Sequence, residues 1–557
     1  MRSVARVVVA IVVALVVAAP TTSGVAQERV ERLRISFPTD EGSLTPYTFE
    51  FGYSLMSLVY DTVMVRDEEG YPRPWLARSV EMSPDARMVT ITLRDDLEFH
   101  DGERLTSADV AFTFRYVAAN YHPRFTPQVA DMAEVLTPDD RTVMILLDKP
   151  QAGFLDQPLA DMPVLPEHIW SALPPGRAAP RGPAVGSGPY RLAERDPGTG
   201  YRLEAVPDYF KGRPTVDTLE VEIIAKSRDT AAALERREID AIPTRIVESV
   251  GGIGIAREQG PSYAGTALLF NLRNPPFDSR AARRAVAAAI DLERLARGVG
   301  GVFPARHGYI HPSSGWAPHD LLQEFDQERA RRVFRRLDLG PIRILAPDND
   351  PAREEAARQV ALALVRAGVD AEEVAVSPER LGRAIGEDGA RPTFSVAVGG
   401  IPSLVSHDPA FLTAVFGRDP RTSPINYTGY RSREFDRAAQ ATAATTDPSA
   451  RLNAVQNELE VIARDAPAIP LMFPEHVVAY RHAIYDDWVF VKGEGILDKQ
   501  SFLPGLAAEA SDGAASARGI APPPPSDDGF PALETAAAVL FMAGAALFVA
   551  GFRRSRR

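Results

Sequence analysis

"WLARSVEMSPDARMVTITLRDDLEFHDGERLTSADVAFTF", residues 75–114, sets a strand, a tight turn and a capped helix in one unbroken run. Val89, Ile91 and Leu93 alternate with Thr90, Thr92 and Arg94, the period of a half-buried strand, reached through the turn pair Pro84-Asp85. Asp101-Gly102 turns the chain. Thr106 then stands three residues before Asp109, so that its hydroxyl can take an orphan backbone N–H while the carboxylate favours the positive start of a helix. Val110, Phe114 and Val117 follow at helical spacing and give that helix a buried face. His100, between strand and helix, reads as a turn residue and not as a catalyst.

Around this block the chain of 557 residues is 45% hydrophobic and 24% charged, enough to bury large cores in more than one structural unit. A net charge of -12 argues against a nucleic-acid partner, whose usual footprint is a basic surface. No cysteine is present, which excludes disulfides, a thiolate nucleophile, a thiolate metal site and a lipid anchor on cysteine.

The ends carry physical signals of their own. Arg2 and Arg6 flank the start of an apolar run at residues 7–19, and the small residues Gly24 and Ala26 follow, so residues 1–26 read as a secretory signal. Residues 535–552 carry no charge and would span roughly 27 Å as a helix, so a transmembrane helix is expected at 533–552. The basic tail "RRSRR", 553–557, would stay cytoplasmic and leave the bulk of the chain outside, periplasmic or extracellular. Residues 507–531, with "APPPPSDDG", cannot bury a core and read as a linker. This layout is also similar to a sortase signal, but "ALETA" at 532–536 lacks the proline and glycine of that motif.

Three stretches carry a family resemblance. Residues 75–114 resemble the signature of the family 5 extracellular solute-binding proteins, the receptors of dipeptide, oligopeptide and nickel ABC importers, with Ser107 in place of an alanine. "VGSGPYRLAERDPGTGYRLEAVPDYFKGRPTVDTLEVEII", 185–224, and "TALLFNLRNPPFDSRAARRAVAAAIDLERLARG", 266–298, are similar to two further family blocks. In the second block Gly186 and Gly188 allow tight backbone geometry, and neither a phosphate loop nor a nucleophile elbow fits it. In the third, Asp278 can cap one helix that Gly298 ends, with Val286 and Ile290 on its buried face and Arg283, Arg284, Arg294 and Arg297 on a solvated one.

The resemblance implies an α/β fold like the type II periplasmic binding proteins, with two lobes and an inserted extra domain. Lobe I would take residues 27–50, 185–270 and 480–506, the extra domain 51–184 and lobe II 271–479, with a crossing between lobes at 268–271. The extra domain would touch little of the ligand. Candidate solute-binding residues are Glu41, Gly42 and Ser43 in the first turn, Asn271, Trp316, Val405, His407, Asp408 and Tyr427. Val405 stands where peptide receptors of the family carry the carboxylate that holds a ligand ammonium, and Pro402 where they carry tryptophan. A buried ammonium without an anion is costly, so the solute should be neutral or anionic at that end.

The function implied is a monomeric receptor that captures a peptide-like or other small solute and passes it to an ABC permease, without a cofactor and without catalysis. A membrane-anchored sensory ectodomain and, more remotely, a hydrolase are the alternatives. His307, His311, His319 and Asp320 could supply metal ligands, but glycine and proline punctuate the stretch and no helix sets their spacing.

Overall fold

The signature block folds as its pattern dictates. Met88–Leu93 is a strand with Val89, Ile91 and Leu93 buried, and Ser107–Ala119 is a helix closed by a full capping box. Thr106 accepts from the first turn while the Asp109 carboxylate accepts from the Thr106 N–H at 2.9 Å. Val110, Phe114 and Val117 sink into the core beneath a four-stranded antiparallel sheet of Ala77–Met82, Met88–Leu93, Thr142–Leu147 and Met132–Asp139. His100 ties this unit to lobe I: its Nδ1 accepts from the Gly186 N–H at 3.3 Å and its Nε2 donates to the Gly188 carbonyl at 3.0 Å. Those glycines are required, since a Cβ at either would sit 2.1 Å from the Val59 carbonyl or 2.4 Å from the Leu58 carbonyl.

The computed structural model describes residues 29–47, 54–172, 184–244, 250–318, 321, 324–337, 339–387, 389–400 and 408–503. The expected signal segment, linker, transmembrane helix and basic tail lie outside these residues, as do Pro402, Val405, His407, His319 and Asp320. No helix among the described residues is long and apolar enough to cross a membrane.

Met64–Arg66 and Pro72–Pro74 pair as a separate antiparallel ribbon, and the remaining strands form one sheet of 12, with helices against it. Its spine is Ala468–Arg481. Residues 468–472 of that strand pair with Thr266–Phe270, which in turn pairs with Val396–Gly400. Residues 475–481 pair with Ile255–Pro261, and 479–480 also with Ala241–Ile242. On the lobe I side Val30–Phe37 lies parallel to Val216–Ile223, while on the lobe II side Ile342–Pro347 lies parallel to Ala371–Val376. Residues 266–270, expected in lobe I, therefore sit in the lobe II half of the sheet, and the chain passes between the halves at 262–265 and inside the long strand.

The third family block departs from its expected form. The helix breaks in two, Arg280–Ala289 and Leu292–Val299, because Ile290 turns into extended backbone and Asp291 caps the second piece through the Arg294 N–H. Ser279 and not Asp278 stands at the first N-cap, and Gly300 ends the second piece. Arg284, Arg294 and Arg297 are solvated, but Arg283 is buried. Its guanidinium donates to the carbonyls of Asp465 and Ala466, closing the end of the helix Pro448–Asp465, and to that of Phe277.

Candidate functional site

Between the sheet, the extra domain and the helices of lobe II lies a cleft of about 1550 Å³. The crossing residues Ser262, Ala264, Thr266, Met472, Pro474 and His476 form its back. One wall is Asp350, Arg353 and residues drawn from the stretch 410–444 of lobe II. The other comes from the extra domain: His122, Arg124, Gln128, Asp131, Lys149 and Gln157. Residues from the stretch 122–157 thus make a full wall of the cleft. The two walls also meet, since Gly153 packs so closely that a Cβ there would lie 2.7 Å from Asp408 Oδ1 and 2.9 Å from Ala410 Cβ. Arg421 reaches across from lobe II to Asp131 at 3.5 Å.

The floor is made of buried ion pairs that join distant parts of the chain. Arg66 donates to Asp156 at 2.7 Å and to Glu494 Oε1 at 3.1 Å. Arg124 holds Asp161, and Lys499 holds Asp61 at 2.6 Å. Asp61 also accepts from the Trp75 indole at 2.9 Å and the Tyr209 hydroxyl at 3.0 Å. Burial pushes the Asp156 and Glu494 carboxyls up, against the pull of Arg66, and brings Glu494 to about 7. Burial, with Arg124 alongside, lowers the His122 imidazole to about 4. His122 Nδ1 accepts from the backbone N–H groups of Arg124 and Phe125, both at 3.2 Å, which orients its ring toward neutrality.

The residues singled out from the sequence occupy other places. The Glu41 carboxylate accepts from the N–H groups of Ser54, Leu55 and Met56, at the start of the helix Met56–Val59, and burial raises it to about 7. Gly42 takes a positive φ beside it, and Ser43 follows in the same turn. Asn271 is buried, bonded to the Phe394 carbonyl and to Arg273. Tyr427 packs in the lobe II core and offers its carbonyl to Arg273 at 2.9 Å. Asp408 and Trp316 do come together, but around Arg451: Asp408 takes that guanidinium at 2.6 and 2.7 Å, and the Trp316 ring lies 5.0 Å from its Cζ. None of these described residues is part of the cleft lining.

Of the candidate metal ligands, His307 bonds to the Pro318 carbonyl and His311 to Ser313, with the His311 ring among Tyr263, Phe303 and Phe473. No group of metal-ligating side chains exists among the described residues. Arg66, Glu494 and Asp498 of the floor carry no motif in the sequence. Arg66 and Glu494 take their meaning only from pairing across 428 residues, and Asp498, bonded locally to Gln500, only from its place in the cleft lining.

Comparison with known proteins agrees with this architecture. A relative in Brucella ovis, named as a candidate ABC transporter peptide-binding protein, is 28% identical over 345 residues, 58% of this chain. The match spans 65% of that relative's length. Among solved structures, the oligopeptide-binding protein AppA of Bacillus subtilis, in complex with a nonapeptide, aligns with a TM-score of 0.72 at 20% identity, covering 86% of this chain and all of that one. NikZ of Campylobacter jejuni, in complex with Ni(L-His), aligns at 0.69 and 21% identity, covering 81% and 94%. The model of the bacterial extracellular solute-binding proteins, family 5 middle, matches residues 71–423, well over half the chain. This protein therefore belongs to the family 5 extracellular solute-binding proteins.

Proposed function

We propose that this chain is the extracytoplasmic receptor of an ABC importer, which takes a peptide-like or other small solute into its cleft and delivers it to the permease. The observation that carries the reading is the cleft itself: about 1550 Å³, with walls from three regions of the chain and a back made of the crossing strands. That is more room than the roughly 300–1,000 Å³ of ordinary small-molecule pockets. The nonapeptide bound by AppA and the nickel–histidine complex bound by NikZ, on the same fold, bracket the range of solutes.

The chain acts as a monomer outside the membrane, held there by an apolar helix at 533–552 through the linker 507–531, after loss of residues 1–26. The solute end that faces residue 405 is neutral or anionic, since valine offers an ammonium no partner. Lobe II moves against lobe I and the extra domain about the crossing at 262–265 and the long strand.

A panel of peptides and metal–amino-acid complexes, screened by thermal unfolding and small-angle scattering, tests this. A true solute at a hundred times its dissociation constant should add about 2.7 kcal/mol of stability. The radius of gyration should fall at the same time. Stabilisation without compaction would argue for a rigid sensor, and turnover of the solute would argue for an enzyme.

A further inference from the structure

The floor of the cleft is short of positive charge. Arg66 is shared by two carboxylates, Asp156 and Glu494. Arg124 and Lys499 are each committed to an acid of their own, Asp161 and Asp61. Asp498 accepts only from Gln500, through the backbone N–H at 2.8 Å and the side-chain amide at 2.9 Å, and has no cation within salt-bridge distance among the described residues.

Glu494 is the acid paired with Arg66 that opens onto the cleft. It lines the cleft with 23% of its side chain exposed, while its partner Arg66 is nearly sealed. Arg66 occupies Oε1, and no donor among the described residues reaches Oε2. The turn that carries it is fixed: the Glu494 and Gly495 N–H groups both donate to the Val491 carbonyl, and Gly495 holds a positive φ that places it beside His476. Groups that face Glu494 are Arg66, Asp156, Asp161, Asp498 and His476. Three of the five are acids.

Resting on the receptor reading above, we propose that Glu494, backed by Asp498, holds a cationic nitrogen of the solute, an ammonium supplied either by a peptide N-terminus or by an amine side chain. The solute then lies with its cation on the Glu494 side of the cleft. A desolvated carboxylate half-satisfied by a shared guanidinium gains a full partner when such a nitrogen arrives. Its high proton affinity, near pH 7, supports the same conclusion: an unliganded floor takes up a proton where the solute would bring its charge.

Three tetrapeptide mixtures serve as probes in calorimetric titration of the full extracytoplasmic chain. One has free N-termini and no lysine or arginine. The second is N-acetylated with one lysine, and the third is N-acetylated with no amine. The wild type should bind the first or the second at least tenfold more tightly than the third. Glu494→Gln should lose about tenfold or more for the amine-bearing mixture and leave the third unchanged. Raising the pH from 6 to 8 should strengthen binding of the lysine-bearing mixture up to about tenfold in the wild type, because Glu494 must ionise first while the lysine keeps its charge, and should have little effect in Glu494→Gln.

Equal binding of all three mixtures by the wild type, or an undiminished Glu494→Gln, overturns the proposal. Should Glu494→Gln fail to unfold cooperatively, Asp498→Asn carries the test, since it removes charge beside the site without touching Arg66. It too should bind amine-bearing peptides several-fold more weakly, and unchanged binding refutes the role. Binding that ignores amines sinks this inference and leaves the receptor standing. If none of the mixtures binds, the peptide-receptor reading itself falls, and this proposal with it.

Discussion

Two buried guanidinium groups, Arg451 in lobe II and Arg66 at the cleft floor, face the same problem of two acids around one cation, and the chain solves it differently at each. Around Arg451, Asp408 takes both nitrogens and Trp316 covers the guanidinium. The second acid, Glu458, is fully buried beside Thr442, and burial raises it to about 8 despite Arg451. At neutral pH it therefore keeps its proton, and the assembly is neutral and closed. Around Arg66 the second acid, Glu494, rests near 7 and opens on the cleft, so that a proton and a solute cation can compete for it. The same charge count makes a piece of scaffold where the second acid is sealed and a candidate recognition site where it is not.

The sharpest way to break this contrast is Arg451→Met. It strands the Asp408 carboxylate in a closed interior, which should cost about 3–5 kcal/mol in denaturant unfolding. Adding Asp408→Asn should recover much of that loss. Glu494→Gln, by contrast, should change stability by less than about 1 kcal/mol, because the cleft lets water reach the site. Comparable losses at the two positions would show that the floor is scaffold as well.

Proton linkage gives a second, smaller test. Burial lowers His122 and His311 to about 4 from an ordinary value of 6.5, so the unfolded chain binds more protons in that window and stability falls as pH drops from 6.5 towards 4. The raised carboxyls Glu41, Glu458 and Glu494 act the other way: their unfavourable burial is relieved as pH falls from about 8 towards 4.5. Stability should therefore rise on acidification from pH 8 to 6.5, rise more slowly from 6.5 to about 4.5, where the three carboxyls outweigh the two imidazoles, and fall only below that. His122→Asn keeps an acceptor for the two backbone N–H groups and removes up to about 3 kcal/mol of the acid-side loss, read from unfolding at pH 4.5, 5.5 and 6.5. A profile unchanged by that substitution would mean that the imidazole stays hydrated.

Gly153→Ala addresses the contact between the walls. The added methyl meets Asp408 and Ala410 head on, and relief requires lobe II and the extra domain to separate. We expect about 1–3 kcal/mol of destabilisation and a larger radius of gyration without solute. An unchanged radius would show that the local loop absorbs the strain.

How much of this was legible in the sequence depends on the range of the interaction. Thr106 with Asp109, and the alternation of Val89, Ile91 and Leu93, are local and came through intact. The four arginines of the third block look alike in sequence, and only the end of a helix some 180 residues away selects Arg283 for burial. Glu494 sits in an unremarked "KGEG" turn, and the extra domain's wall depends on a close approach by Gly153 that has no signature at all. Family resemblance supplied the fold and pointed to Asp408, a residue that here secures Arg451 outside the cleft lining.

The long strand Ala468–Arg481 sets the order in which the protein can be finished. It is the last strand to be synthesised among those described, yet it lies in the middle of the sheet, between Thr266–Phe270 and Ala241–Ile242. Until it emerges, both halves present raw edges, the state in which strands pair with the wrong neighbour. A chain stopped short of residue 468 would therefore form neither lobe cleanly. A nascent chain must be kept from closing on itself until nearly all of it is available.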